Sequence, residues 1–286
     1  KMLEPEKVDA KAPAITKNPS SRSCALKAKV TLGVTAASKD GGSLSYQWYS
    51  NTKNSKDGAK AIRKATKASY AVPTTKAGTV YYFCRVTNTN SKATGNTSAS
   101  ADSKLAKVTV KKAANPITKV SKYSKAIGSK VALKPQGKAA YKSSNTKVAT
   151  VSKKGVVAFK AFGKATITVK AEGNANYNAA TKKIAIVVTP KAISIKSLKS
   201  SKAKMAAVTW KKDAKVTGYK IQYATKSNFK GAKTVTAKKN RTVSATLKKL
   251  KGGSKYYVRI RSYKKVDKKT TVYSTWSKAK TVKVKK

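Results

Sequence analysis

Nine carboxylates make up the whole acidic inventory of this 286-residue chain: Glu4, Glu6, Asp9, Asp40, Asp57, Asp102, Glu172, Asp213 and Asp267. Beyond the N-terminus they stand singly. No stretch therefore offers the carboxylate pair, about 5–10 Å apart, that glycosidic hydrolysis needs. No Asp-rich loop supplies the clustered oxygen ligands of a calcium site. Histidine is absent, which removes Ser-His-Asp and Cys-His catalysis and every zinc site with imidazole ligands. Two cysteines, Cys24 and Cys84, cannot build a thiolate metal site alone. The paired glycines of Asp40-Gly41-Gly42-Ser43 and Lys251-Gly252-Gly253-Ser254 sit between apolar runs and read as turns, not as phosphate-cradling loops. A Lys–Asn isopeptide bond would need a buried carboxylate as proton shuttle, and between 115 and 189 the sole acid, Glu172, falls in an apparent turn. The expectation is no enzyme, no cofactor and no metal, with Glu4, Glu6 and Asp9 as solvated charges of a linker over 1–12.

The remaining chemistry is attraction of anions. Sixty-six Lys and Arg give a formal net charge of +57. The excess is spread along the chain: 0 over 1–12, +15 over 13–112, +14 over 113–190 and +28 over 191–286. Such a surface draws polyanions and releases their counterions on binding. Lysines outnumber arginines ten to one, and no helix-turn-helix, RNP motif or zinc finger is present. Nucleic acid is therefore expected to bind non-specifically at low salt, without base readout.

One surface can be placed by alternation. If Tyr256, Val258 and Ile260 point inward, Tyr257, Arg259 and Arg261 point outward. On a neighbouring strand Tyr219, Ile221 and Tyr223 would face inward, with Lys220 and Gln222 outward. Lys220, Tyr257, Arg259 and Arg261 would then form a cationic, partly aromatic stripe. Arginine offers a fork of donors to carboxylate, sulfate or phosphate, and a phenol can stack on a sugar or base. A second candidate joins Lys248, Lys249 and Lys251 with Lys238, Lys239 and Arg241 near turns. The plainer reading of either is a solvated sheet face.

The elements that carry these residues are strands. Ala106-Lys107-Val108-Thr109-Val110 and Thr281-Val282-Lys283-Val284-Lys285 alternate apolar and polar, the pattern of a half-buried strand. Helical periodicity is nearly absent, and turn residues separate short runs throughout, which predicts all-β sandwiches. Pro-containing joints at Ala114-Asn115-Pro116 and Thr189-Pro190-Lys191 divide the chain into domains over 13–112, 115–189 and 191–286. No apolar run of about 18 residues is present, so no membrane insertion is expected. The first residues lack the apolar core of a signal peptide. The chain reads as an internal or trimmed piece of something larger.

Tyr46-Gln47-Trp48-Tyr49 and Thr79-Val80-Tyr81-Tyr82-Phe83-Cys84 resemble the core-tryptophan strand and the F strand of bacterial immunoglobulin-like domains, with Tyr82 at the tyrosine-corner position. Tyr141-Lys142-Ser143-Ser144-Asn145-Thr146-Lys147-Val148-Ala149-Thr150-Val151-Ser152, then Gly155-Val156-Val157 and Gly163-Lys164-Ala165-Thr166-Ile167-Thr168-Val169, resemble the group 2 bacterial Ig-like domain. Val208-Thr209-Trp210, Gly218-Tyr219-Lys220-Ile221-Gln222-Tyr223 and Leu250-Lys251-Gly252-Gly253-Ser254-Lys255-Tyr256-Tyr257 resemble a fibronectin type III domain. Together these imply three tandem immunoglobulin-like/fibronectin-like β-sandwiches. Cys24 lies farther before Trp48 than the family's B-strand cysteine, and Leu32 takes the more natural inner position there. Cys24 thus either pairs with Cys84 from the preceding strand or does not pair; the expectation is a structural disulfide, about 2–4 kcal/mol in effect. The resemblances also imply an extracellular or cell-surface adhesion or spacer array of a bacterial protein, contacting anionic glycans, cell-wall polymers or a host protein. The alternatives are a specific binder of a host protein such as an immunoglobulin, or accessory modules of a larger secreted enzyme.

Overall fold

The computed structural model of the protein describes residues 6–286. The first five residues of the 1–12 segment, with Glu4, lie outside the described residues. Among the described residues the chain is all strand, turn and loop, without a helix. Three separate apolar clusters organise it into three β-sandwiches.

The first sandwich holds β1 (Ala14–Lys17), β2 (Arg22–Ala25), β3 (Thr31–Gly33), β4 (Thr35–Ala37), β5 (Ser43–Asn51), β6 (Lys60–Ala61), β7 (Ser69–Ala71), β8 (Gly78–Thr89), β9 (Ser98–Asp102) and β10 (Ala106–Lys111). Its main sheet runs β2-β10-β8-β5-β6, with β9 also on β8; β3-β7 and β1-β4 form two small pairs. Alternation drives Ala106 and Val108 inward against Leu32, Trp48, Cys84 and Val86. Trp48 is fully enclosed, and its Nε1 donates to Lys67 O at 2.8 Å.

The end of this sandwich is tied by a polar knot. Asp40 accepts from the backbone N of Lys11 (2.8 Å) and Gly42 (3.2 Å) and from Ser38 Oγ (3.0 Å). Buried Asn88 donates from Nδ2 to Asp40 Oδ1 (2.7 Å) and Lys11 O (2.9 Å), and accepts from Ser38 Oγ. The Lys11 amide first, with Asn88, Asn90 and Gly42, holds the Asp40 carboxyl well below the usual range. The knot corrects the expectation of a free linker. Val8 O accepts from the amides of Thr94 and Gly95, Ala10 N donates to Asn96 O, and Asp9 accepts from the Asn96 backbone. Residues 8–11 are part of the sandwich, and Asp9 is bonded rather than merely solvated.

The expected disulfide is also corrected: Cys24 and Cys84 are free thiols. β2 joins the main sheet parallel to β10, with Cys24 opposite Val110, which in turn lies opposite Gly78. Cys84 is six residues farther along β8 and two strands across. That is roughly 20 Å along the strand and about 10 Å across the sheet, whereas a disulfide needs Cα atoms within about 7 Å. Burial pushes the Cys84 thiol up to about 11, so it is inert while the fold holds. Native-state alkylation should label half-exposed Cys24 alone, with Cys84 reacting only in denaturant, and the intact mass should match two thiols. A mass short by two hydrogens would contradict this arrangement.

The second sandwich holds β11 (Lys122–Ala126), β12 (Lys130–Ala132), β13 (Ala139–Ser143), β14 (Ala149–Val151), β15 (Val156–Phe159), β16 (Gly163–Ala171) and β17 (Ala180–Thr189). A four-stranded sheet, β11-β17-β16-β13, faces a three-stranded one, β12-β15-β14. Ala165, Ile167, Val169 and Ala171 of β16 and Ile184, Ile186 and Val188 of β17 fill the interior with Phe159 and Val157. Gly155 turns β14 into β15 at φ 76°, a left-handed conformation open to glycine without strain.

The third sandwich holds β18 (Ile195–Lys199), β19 (Ala206–Trp210), β20 (Gly218–Ala224), β21 (Lys233–Ala237), β22 (Ser244–Leu247), β23 (Lys255–Lys265), β24 (Thr271–Tyr273) and β25 (Lys280–Lys283). Here β18-β19-β22 packs over β21-β20-β23-β24, with β25 also on β23. Trp210, Tyr219, Ile221, Leu247, Leu250, Val258 and Ile260 form its core. Lys251 N donates to Tyr256 Oη at 3.2 Å, pinning the corner into β23.

By packing, the chain divides into two compact units: Lys1–Asn115 with Gly173–Ala179, and Pro116–Glu172 with Ala180–Lys286. Within the first, Asn176 accepts from Ala77 N (2.8 Å) and donates to Thr75 O (3.1 Å). Among the described residues no helix is long and apolar enough to cross a membrane.

Candidate functional site: a ring–cation stack on the third sandwich

β20 and β23 pair antiparallel with Lys220 opposite Arg261, Gln222 opposite Arg259 and Ala224 opposite Tyr257. Because side chains alternate across a strand, these six residues share the outer face while Tyr219, Ile221, Val258 and Ile260 are buried beneath. The sequence-predicted stripe is thus brought together, but its arginines are already occupied. The Arg259 guanidinium lies 3.9 Å from the Phe229 ring centre and 4.7 Å from that of Trp276. Arg261 lies 4.3 Å from both Trp276 and Tyr273, and Lys220 Nζ is 5.4 Å from Tyr273. Ring and cation alternate in the series Phe229, Arg259, Trp276, Arg261, Tyr273, Lys220. Tyr257 stands outside it, under Lys255 Nζ at 5.3 Å.

Backbone geometry makes the stack possible. Between β24 and β25 the chain leaves regular pairing with β23, and two serine hydroxyls replace the missing ladder. Ser274 Oγ accepts from Ser262 N and Ser277 Oγ from Ile260 N, both at 3.0 Å. The amides of Ser274 and Ser277 donate back to Ser262 O and Ile260 O. This holds Tyr273 and Trp276 over the arginines. On the opposite side Phe229 sits at φ 59°, an uncommon conformation for a bulky residue, with its ring on Arg259.

Arg259 spends Nε on Gln222 Oε1 at 2.8 Å, and a terminal nitrogen bonds the same oxygen. Arg261 Nε is enclosed without an acceptor. Burial lowers the pKa of both, with Arg259 adding to the effect at Arg261 and Tyr273 opposing it. These guanidiniums fill a stack worth about 0.5–2 kcal/mol per contact, with their faces on aromatic rings.

The second predicted cluster does not assemble. Arg241 precedes β22 in the turn where Thr242 N bonds Lys239 O, while Lys248 and Lys249 follow its other end. Lys248 borders a shallow depression with Lys202, Met205, Ala207 and Thr246; Lys249 occupies a turn at φ 55°.

The first sandwich has a shorter version of the same stack. Tyr49 and Phe83 lie 5.0 Å apart and nearly parallel, capped by Arg85 at 5.4 Å and Lys56 at 5.4 Å. Arg85 is tied to Asp102 by two bonds of 2.8 and 3.0 Å. Among the described residues no three His, Cys, Asp or Glu gather to hold a metal.

Residues 189–276 match the family model of the fibronectin type III domain. No curated protein matches the chain. Among solved structures, the FN1–FN3 domains of chicken CNTN1 align at 15% identity and TM-score 0.30, covering 97% of this chain and 99% of that one. Domains A168–A170 of titin align at 13% identity and TM-score 0.34, over 95% and 99%. A structure described as a myokine aligns at 19% identity and TM-score 0.28, over 34% and 99%.

Proposed function

We propose that the chain is a non-catalytic binding and spacing array on the outside of a bacterial cell, or secreted from it. Its first two sandwiches would be immunoglobulin-like, and its third a fibronectin type III domain. The array attaches to linear polyanions through lysines that the protein does not neutralise itself. The observation that carries this reading is the charge imbalance: +57 overall, with Arg85–Asp102 the ion pair found among the described residues. Cations left unpaired in folding are available to a partner, and their gain comes chiefly from counterion release.

The test is binding of the full chain to an immobilised anionic polymer across salt. With at least six contacts, affinity should fall about 10³-fold between 0.05 and 0.2 M salt. Binding that survives high salt undiminished would favour specific recognition of a host protein, such as an immunoglobulin, over this reading. Turnover of a substrate by the purified chain would overturn it.

A further inference from the structure

We infer that the outer face of the β11-β17-β16-β13 sheet is the docking face for a ring-free phosphodiester polymer, such as a poly(alditol phosphate). The inference rests on the polyanion reading above and gives it a place.

Strand register sets the array. Lys183 on β17 lies opposite Thr168 on β16, which lies opposite Lys142 on β13. Lys170 lies between Thr181 and Ala140, and Lys122 on β11 lies opposite Ala185. No member of this quartet faces another across a strand pair, which spares the sheet a like-charge penalty. Strand spacing and rise put diagonal neighbours about 8 Å apart. All four are exposed, above a floor of fully buried Ile167, Val169, Ile184 and Ile186. The cations therefore project from a packed sheet and not from loops.

Three further features select the occupant. First, the quartet is unengaged: none of its ammoniums has an ion pair or ring contact among the described residues, whereas Arg85, Arg259 and Arg261 are held by Asp102, Gln222 and aromatic rings. Second, the four strands of this sheet carry no acid. Glu172 follows β16 with its amide on Lys138 O, and Asp267, its carboxyl lowered chiefly by the Lys269 and Thr270 amides, feels Lys164 at the other end. Third, the side chains between the lysines are Thr and Ala, with no ring on which a pyranose or a base could stack. Threonine hydroxyls can donate to phosphoryl oxygens, and an ammonium meets phosphate as a point charge without demanding a fixed approach. A chain recognised only by regular negative charge fits this face; a glycan or single-stranded nucleic acid would leave its rings unsupported.

The experiment uses the full chain carrying Lys122→Thr, Lys142→Thr, Lys170→Thr and Lys183→Thr together, since threonine suits exposed strand positions. A control of equal charge carries Lys29→Thr, Lys53→Thr, Lys92→Thr and Lys104→Thr, all exposed. Matching circular dichroism melts certify both folds. The probe is synthetic poly(glycerol phosphate), with heparin and oligothymidylate as comparators. At about 0.15 M salt the face variant should lose roughly 30-fold or more in affinity, and the magnitude of its log–log salt slope should fall by about 3. The control should lose less than about 3-fold. Equal losses in the two variants would overturn the inference, because the attraction would then be diffuse. A heparin or oligothymidylate loss as large as that for the phosphate polymer would overturn the choice of occupant. If the unmodified chain holds no polyanion at this salt, the functional reading itself fails; if it binds and the face variant binds equally, only the docking face is wrong.

Discussion

Trp276→Ala should destabilise the third sandwich by about 3 kcal/mol, read from the urea midpoint of the transition that includes residues 191–286. Trp276 is the ring between two cations, 4.7 Å from the Arg259 guanidinium and 4.3 Å from that of Arg261. Removing it deletes a large half-buried side chain and two ring–cation contacts, and leaves two positive groups facing across a gap. Trp276→Phe keeps a π-face and should cost about 1 kcal/mol. The alanine variant should also gain more from added sulfate than the parent does, since an anion can screen the two guanidiniums that Trp276 no longer separates. An alanine variant within about 0.5 kcal/mol of the parent, indifferent to sulfate, would mean that the stack is a surface ornament.

Asn88→Ala should cost the first sandwich about 2–3 kcal/mol. Its side chain is fully buried and closes bonds to Lys11 O, Asp40 Oδ1 and Ser38 Oγ. Alanine would leave the Lys11 carbonyl and one carboxylate lone pair without the donor that buried Asn88 supplies. The knot also sets a pH dependence. The Asp40 carboxyl titrates below its ordinary range in the fold, led by the Lys11 amide. Its contribution is therefore complete above the unfolded value near 4 and is lost as pH falls through the folded one. The parent should weaken progressively below about pH 4, and Asn88→Ala should flatten that acid limb by removing one of the donors that favour the charged form. A thermal melt series from pH 7 to pH 2 reads both. An unchanged acid limb in the variant would dissociate Asn88 from the Asp40 carboxyl.

How far these sites could be foreseen depended on whether they are local in the chain. Alternation in Tyr256–Arg261 was enough to put Arg259 and Arg261 on one face, because side-chain period is a property of the strand itself. The match of residues 189–276 to the fibronectin type III model concerns the same local signals. Phe229 had none: it comes from the loop between β20 and β21 and meets Arg259 only because that loop folds over the sheet. The place of Trp276 between two guanidiniums depends on Ser274 and Ser277 substituting hydroxyls for ladder bonds. The Asp40 knot joins Lys11, Ser38, Asp40 and Asn88, and no spacing rule links residues so far apart.

Period-two patterning in the amino-acid order was enough for the all-β character, and the family resemblances were enough to expect three sandwiches with Trp48 and Trp210 in their cores; residue type alone removed imidazole chemistry, since histidine is absent. Tertiary structure alone decided which cations are spent and which are free, that Cys24 and Cys84 lie too far apart to join, and that residues 8–11 are bonded into the first sandwich. Register explains the difference. A strand's pattern says which way its side chains face, whereas what stands opposite them depends on pairings between distant segments that are settled only when sheets close around a shared core.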